Sequence, residues 1–171
     1  MYQVGDYVVK SNSGICRIED ILPLDEWDAE KEKLYYLLVP LADNKMKIYV
    51  PAKNENPDLR PALKEEEAWE IIHRVPDIEE ANILNERQRE KEYKDAVRSC
   101  DPEHLVSILK TMYVRKRKRN LQGKKCTAID ERYFKLAENT LYSELAFAIG
   151  RDKDEIYDII TETIRQEQQR K

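Results

Sequence analysis

The sequence predicts an α+β protein in which a small antiparallel β-barrel is followed by an all-α helical bundle. Short apolar runs rich in β-branched and aromatic residues, separated by turn signals, occupy about the first 50 residues. From residue 64 onward, apolar residues recur at helical spacing instead. We therefore expect a barrel over residues 1–62, a connecting helix and joint over residues 63–82, and a helical domain over residues 83–168.

The N-terminal region contains four segments with the composition of β-strands. Residues 2–10 are rich in Val and Tyr, and the turn sequence SNSG follows them. Residues 15–21 alternate, whereas residues 34–39 (LYYLLV) form a nearly continuous apolar run that is typical of a central strand. Residues 23–33 (PLDEWDAEKEK) are expected to form a long polar loop. Residues 46–51 (MKIYVP) form a further strand that its proline ends.

The helical region begins with two short, charged helices. Residues 64–75 place Trp69 and Ile72 on one face, so Trp69 is expected to belong to the core, and Pro76 ends the helix. Residues 86–99 carry only a thin apolar stripe between their charges. A polar joint separates the two helices.

Three further helices complete the predicted bundle. Asp101 is a candidate N-cap with Pro102 at the first helical position, and apolar residues follow at i, i+3, i+4 and i+7. Thr127 begins a long helix that ends at Gly150, a residue that favours a helix C-terminus. Asp152 is a candidate cap for the last helix.

Composition limits the class of protein. No apolar run approaches the roughly 18 residues that a membrane span requires, and the N-terminal residues lack the apolar segment of a signal peptide. Cys16, Cys100 and Cys126 are far apart and form no C-x-x-C pair, which argues against a disulfide framework or a zinc site. We expect a cytoplasmic protein with no membrane association, no metal site and no cofactor.

The sequence also lacks the patterns that are typical of catalytic sites. Its four glycines are too dispersed to form a phosphate-binding loop. No serine lies in a nucleophile-elbow sequence, and neither His73 nor His104 lies beside a nucleophile. The acidic run at residues 65–67 is expected to complement a helix dipole. We therefore predict no catalytic residues and a protein that is not an enzyme.

The stretch TMYVRKRKRNLQGKK, residues 111–125, holds seven Lys or Arg residues and no acid in a chain of net charge −4. Two interpretations are open: a solvated helix end whose cations complement the macrodipole, or a surface that contacts phosphate groups. Five consecutive cations, each about 100° from the next, surround a helix and cannot all face one partner. The run continues beyond the helix, where the dipole no longer explains it, and this favours the phosphate interpretation.

Two parts of the chain resemble a known protein family. The segment VGDYVVKSNSGICRIEDI, followed by LYYLLV and KIYVPAKN, resembles the RNA-polymerase-interacting domain of the CarD/CdnL family of bacterial transcription regulators. Transcription-repair coupling factor shares that domain. The segments KEYKDAVRSCDPEHLVSILKTMY and GKKCTAIDERYFKLAENTLYSELAFAI resemble the family's helical C-terminal domain. The resemblance covers nearly the full length, in the same order.

For the N-terminal half, the resemblance implies a Tudor/SH3-like barrel that binds the β subunit of RNA polymerase through an edge strand. By position, the contacts implied are Lys45, Met46, Lys47, Ile48, Tyr49 and Val50. Strand alternation places Lys47 and Tyr49 on one face and the other residues of the strand, including Met46 and Ile48, on the opposite face. We expect Ile48 to belong to the core, and we expect the free protein to be a monomer.

For the C-terminal half, the resemblance implies contact with promoter DNA near the upstream edge of the transcription bubble. Such contact would stabilise the open complex without reading much sequence. The candidate DNA-binding residues are Ile83, Leu84, Arg87, Arg89, Arg115, Lys116, Lys118, Arg119, Lys124 and Lys125. The alternative is an RNA-polymerase-binding interaction module with little or no DNA binding.

One departure from the family concerns the start of the helical domain. Many members carry a tryptophan there that wedges into the minor groove, whereas here Ile83 or Leu84 lies near that position. Aliphatic side chains can also wedge between base steps, so either residue could act as a wedge or simply pack in the bundle. Arg87 and Arg89 follow and could contact phosphates, although neighbouring acids dilute their charge.

Overall fold

The structure is a computed structural model that describes residues 1–23, 33–53 and 56–170. Most of the predicted polar loop, including Trp27, lies outside these residues. The chain divides into two compact units, Met1–Ala62 and Leu63–Lys171.

The N-terminal unit is a sheet of five antiparallel strands in the order β4-β3-β2-β1-β5. The strands are β1 (Tyr7–Lys10), β2 (Gly14–Pro23), β3 (Leu34–Pro40), β4 (Ile48–Pro51) and β5 (Leu59–Pro61). The register between β2 and β3 shifts between Ile18 and Asp20, and such an irregularity increases strand twist and lets a sheet curl. The predicted small antiparallel barrel is therefore confirmed as a curled half-barrel.

Two differences from the predicted strands have local causes. The first strand begins only at Tyr7, because the chain turns at Gly5 (φ 95°) and the Asp6 carboxylate accepts a hydrogen bond from the Gln3 amide at 2.8 Å. The strand β5 was not predicted, since its three residues show no periodicity. It exists because it pairs with β1, about 50 residues earlier in the chain.

The core of the N-terminal unit is formed by side chains from adjacent strands of this sheet. Val8, Ile18, Tyr36 and Leu38 are fully buried and come from three adjacent strands. The Tyr36 hydroxyl accepts a hydrogen bond from the Tyr2 amide at 3.1 Å, which ties the N-terminus to the core. These four side chains belong to one cluster, whereas the buried residues Val9 and Ile15 lie outside it.

All five predicted helices are present in the C-terminal unit. They are α1 (Glu65–Arg74), α2 (Glu86–Ser99), α3 (Pro102–Leu121), α4 (Ala128–Ile149) and α5 (Lys153–Arg170). The predicted caps Asp101 and Thr127 are confirmed, because each side chain accepts a hydrogen bond from an amide in the first helical turn. Gly150 ends α4 in the left-handed conformation (φ 70°) that glycine adopts at low cost.

The long helix α4 is the centre of the C-terminal unit. It packs against each of the other four helices, and Leu141 and Leu145 are fully buried. The helix α1, expected to be a connecting element, belongs to this core through Ala68 and Ile72. Trp69 is only partly buried and stacks on His73. No described helix is both long enough and apolar enough to cross a membrane.

Candidate sheet-edge and nucleic-acid interfaces

The strand β4 is one edge of the N-terminal sheet. It pairs with β3 alone, with Ile48 opposite Leu38 and Val50 opposite Tyr36. Among residues 1–23, 33–53 and 56–170, no strand pairs with its outer side. The backbone groups of Tyr49 point away from β3, and a strand from another protein could add to the edge there. Pro51 has no N–H, and its carbonyl oxygen already accepts hydrogen bonds from the Lys53 amide at 2.9 Å and from the Asn56 side chain at 3.2 Å.

The side chains of β4 alternate between core and surface. Val50 is buried and Ile48 packs partly buried against the core, as predicted, whereas Lys47 is exposed and Tyr49 is 46% exposed. The placement of Met46 on the core face is wrong, because its side chain is 48% exposed. Met46 precedes the strand and lies in a turn, so the alternation of the pleat does not reach it.

The turn before β4 is fixed by one acidic residue. The Asp43 carboxylate accepts a hydrogen bond from the Lys45 amide at 3.0 Å, and its carbonyl accepts one from the Met46 amide at 3.2 Å. Lys45 and Lys47 are both exposed. The unpaired edge is therefore flanked by cations and carries one exposed aromatic ring, that of Tyr49.

All five consecutive cations of the basic stretch lie within α3, and two of them bond to the protein itself. Arg115 Nε donates to Asp130 Oδ2 at 2.9 Å, and its terminal nitrogens donate to the Glu86 carboxylate at 2.6 and 3.2 Å. Arg119 lies one turn later, and its Nε donates to the Lys125 carbonyl oxygen at 2.9 Å. The face of α3 that contains Arg115 and Arg119 thus points toward neighbouring parts of the helical unit.

The remaining cations of the stretch are exposed and form no side-chain hydrogen bond or ion pair within the part of the chain that the structure describes. They are Lys116, Arg117, Lys118, Lys124 and Lys125. Tyr113, Lys116, Arg117 and Asn120 share an arc of about 100° on the outward side of α3. We call these four residues the outer face of α3.

The sequence prediction did not include Tyr113, Arg117 or Asn120 among the candidate site residues. A helical projection of α3 does not separate them from the apolar residues, because Val106 and Leu109, which belong to the core, lie on the same side of the helix two to three turns earlier. Tyr113, Arg117 and Asn120 are exposed because they follow the part of α3 that packs in the core. Because Tyr113 is 61% exposed, the outer face combines cations with an accessible aromatic ring.

A hydrogen-bonded network around Asp130 holds three helices together. Asp130 lies in the first turn of α4, is 3% exposed, and accepts hydrogen bonds from Tyr93 Oη of α2 at 3.1 Å and from Arg115 of α3. Burial by itself raises the pKa of Asp130, but hydrogen bonds from Arg115, Thr127 and Tyr93 outweigh burial and hold the pKa below its ordinary value.

The Asp130 network extends to the start of α2 through Glu86. This carboxylate accepts hydrogen bonds from Arg89 at 3.1 and 3.2 Å as well as from Arg115, and both arginines lower its pKa. Arg89 also donates to Tyr93 Oη at 3.3 Å. Arg89 and Arg115 are therefore bound within the helical unit, with 16% and 19% of their side chains exposed.

The residues near the predicted wedge position point in different directions. Ile83 packs partly buried against the helical core, whereas Leu84 is 78% exposed immediately before Asn85, the N-cap of α2. Arg87 is exposed. Because Glu86 bonds to Arg115, the segment containing Leu84 and Arg87 lies close to the basic part of α3.

The described residues contain no group of three or more His, Cys, Asp or Glu side chains that could hold a metal ion. The chemistry that these surfaces offer is that of binding. The β4 edge offers unpaired backbone groups, and α3 with its following loop offers exposed cations.

Two family models match the chain. The model of the CarD-like/TRCF RID domain matches residues 2–63, and the model of the CarD C-terminal domain matches residues 68–161. The two matches correspond in order to the two compact units. No curated protein sequence gives a significant match to the chain.

The Asp130 network predicts an acid-sensitive contribution to stability. The change Asp130→Asn should lower the free energy of unfolding by about 1–3 kcal/mol at pH 7, because it removes a buried, hydrogen-bonded charge. The pKa of Asp130 is lowered in the folded state, so this contribution is present above the ordinary Asp value of about 3.9 and is lost as pH falls through the folded value. Urea unfolding at a series of pH values from 7 to 3, monitored by the circular dichroism of the helices, measures this contribution to the free energy of unfolding.

Asp95→Asn is the matched control, because Asp95 is exposed on α2. That change should leave the unfolding midpoint at pH 7 nearly unchanged. A difference between wild type and Asp130→Asn that stays constant or grows toward pH 3 would contradict the predicted role of the ionised carboxylate.

Proposed function

Because the chain belongs to the CarD-like family of RNA-polymerase-interacting transcription regulators, we propose that it binds the β subunit of RNA polymerase through β4. We further propose that it contacts promoter DNA through its helical unit and thereby modulates the stability of the open complex. The observation that carries the proposal is the match of both family domains, in order, to a chain with an unpaired strand edge and a basic helix. The protein acts in the bacterial cytoplasm as a monomer.

Contact with the β subunit is supported by the geometry of β4. The strand has one unpaired side, and strand addition to such an edge supplies main-chain hydrogen bonds. Specificity comes from side chains that flank those bonds. Lys47 and Tyr49 are exposed at this edge and supply a charge and an aromatic anchor of the kind that dominates many interfaces.

Contact with DNA is supported by the exposed cations of α3 and the loop after it. Lys116, Lys118, Lys124 and Lys125 are exposed and free to neutralise phosphates, and such contacts carry no sequence information. The structure supports a smaller role for Arg89 and Arg115, because the Asp130 network already binds them. We propose that Arg117 of the outer face takes part in their place.

Leu84 is the candidate wedge of the two residues considered. It is exposed next to the basic part of the helical unit, whereas Ile83 packs against the core. Insertion of an apolar side chain between base steps needs an exposed residue near phosphate-binding groups. Leu84 meets both conditions.

A second candidate function is an RNA-polymerase-binding module with little or no DNA binding. It is favoured by the internal pairing of Arg89 and Arg115 and by the position of Glu86 between them. The wedge position also lacks an aromatic ring. The two candidates make the same prediction for the β subunit and opposite predictions for DNA.

Binding to the β subunit can be tested with its isolated lobe. The double change Lys47→Glu and Tyr49→Ala should weaken binding by at least about tenfold, because truncation of an interface anchor commonly costs more than 1 kcal/mol. Isothermal titration calorimetry measures the change. Lys116→Glu, on α3, is the control and should bind as wild type does. Failure of the wild-type protein to bind the lobe would refute the polymerase proposal.

Binding to DNA can be tested through its dependence on salt. Replacing Lys116, Lys118, Lys124 and Lys125 by Ala should weaken binding to a promoter fragment and lower the slope of log K against log salt. The slope should fall by about 0.9 for each phosphate that the variant no longer neutralises. Fluorescence anisotropy over a series of salt concentrations measures both quantities.

The control for the DNA experiment removes the same number of cations elsewhere in the helical unit. It replaces Lys64, Lys135, Arg165 and Arg170 by Ala. If the two variants have the same slope, the cations of α3 and its loop make no particular contact. Absence of binding by the wild-type protein would favour the module without DNA binding.

The wedge proposal predicts opposite effects of two changes at one position. Leu84→Trp should lengthen the lifetime of the open complex by about two- to tenfold, since an aromatic contact adds roughly 0.5–1.5 kcal/mol beyond burial. Leu84→Ala should shorten it. A competitor challenge of preformed complexes measures the lifetime. Ile83→Trp is the comparison and should mainly destabilise the helical unit, and no effect from either Leu84 change would reject the wedge.

A further inference from the structure

A groove between α4 and α5 belongs to neither of the surfaces described above. It has a volume of about 220 Å³. Its lining residues are Glu138, Asn139, Tyr142, Lys153, Asp154 and Tyr157. Tyrosine rings and carboxylates thus occur together in one concave site.

Two tyrosines form the aromatic part of the groove. The ring centroids of Tyr142 and Tyr157 are 6.4 Å apart and the rings are tilted by 58°. Tyr157 is 53% exposed, so part of its ring is open to a ligand. Neither hydroxyl has a hydrogen-bond partner among the described side chains and backbone.

The tyrosine chemistry favours a cation. The face of an aromatic ring attracts positive charge. Burial, together with the charge of Glu138 and the neighbouring Tyr157, raises the pKa of Tyr142 to about 12, so its hydroxyl stays neutral at physiological pH. Glu138 precedes Tyr142 by four residues on α4, so the two side chains are neighbours on one face of the helix.

Two carboxylates complete the groove, and neither forms an ion pair or side-chain hydrogen bond within the part of the chain that the structure describes. Asp154 complements the dipole of α5, in whose first turn it lies. Glu138 lies in the middle of α4, where the dipole gives no reason for a carboxylate, and it is half-buried. By contrast, Glu155 and Glu162 of α5 pair with arginines of the same segment.

Lys153 is the cation among the lining residues. Its Nζ donates to Asn139 Oδ1 at 2.5 Å, so its ammonium is bonded to an amide and not to either carboxylate. With two carboxylates and one ammonium, the groove has a net charge of −1. Its negative charge and its ring faces are both complementary to an organic cation.

We propose that this groove binds the guanidinium group of an arginine side chain from a partner protein. A guanidinium is planar, stacks on aromatic rings and donates in a fork to carboxylates, which a compact ammonium cannot do. Tyr142 and Tyr157 supply the rings, and Glu138 supplies the carboxylate that has no other partner among the described residues. The proposal does not depend on the proposed function.

The full-length protein, labelled with ¹⁵N, can be titrated with N-acetyl-arginine methylamide. The amide chemical shifts of residues 138–142 and 153–157 should change together and saturate as the compound is added. N-acetyl-citrulline methylamide has nearly the same shape without charge and should not bind, and the lysine analogue should bind more weakly than the arginine compound. Spermidine tests for a free polyamine, and tighter binding of spermidine than of an arginine-containing peptide would overturn the assignment.

Variants on the two helices make the test specific. Tyr157→Ala and Glu138→Gln should each weaken binding by about two- to fivefold, as expected when one cation–π or exposed ion-pair interaction is removed. Lys153→Gln should strengthen binding, because it removes a competing positive charge. Glu131→Gln changes an exposed carboxylate of α4 outside the groove and should have no effect.

Two further outcomes would overturn the proposal. One is absence of localised shifts with the arginine compound. The other is loss of binding in Lys153→Gln together with shifts caused by inorganic phosphate, which would make the groove an anion site. Thermal unfolding of each variant, followed by circular dichroism, verifies that the helical unit remains folded.

Discussion

The buried carboxylate of Asp130 is the constraint on which the arrangement of the helical unit depends. A charge that is 3% exposed persists only when other groups pair with it and donate hydrogen bonds to it. Tyr93 supplies one bond from α2 and Arg115 supplies another from α3, while Asp130 itself lies in the first turn of α4. One carboxylate therefore fixes three helices, and it does so at the end of the unit where the basic stretch lies.

This constraint also decides which cations are available to a partner. Five consecutive cations surround α3, but Arg115 must face Asp130, and Arg119, one turn later, bonds to the following loop. The orientation of α3 is thereby set, and Lys116 and Arg117 turn outward. A cluster that looks uniform in sequence is thus divided into structural and accessible members, and only the accessible members can contact phosphate without breaking an existing bond.

The two units offer different kinds of binding. In the half-barrel, the unpaired side of β4 presents backbone groups in a fixed order, with Lys47 and Tyr49 beside them. In the helical unit, α3 and its loop present solvated charges that bind anions with little geometric demand. A regulator that combined the two would obtain its specificity from the protein partner of β4 and much of its affinity for DNA from charge. The groove at Tyr142 and Tyr157 adds a third surface of opposite sign.

The sequence by itself determined the α+β class, the antiparallel sheet, and the ends of several helices. These features depend on bonds within a few residues, such as the amide caps of Asp101 and Thr127 and the left-handed turn at Gly150. The tertiary structure decided that β5 exists, that Met46 is exposed, that Leu84 and not Ile83 points outward, and that Arg115 is bound. Each of these depends on a partner distant in sequence or on the place where an element begins, and the pairing of Arg115 with Asp130 appears in no local pattern.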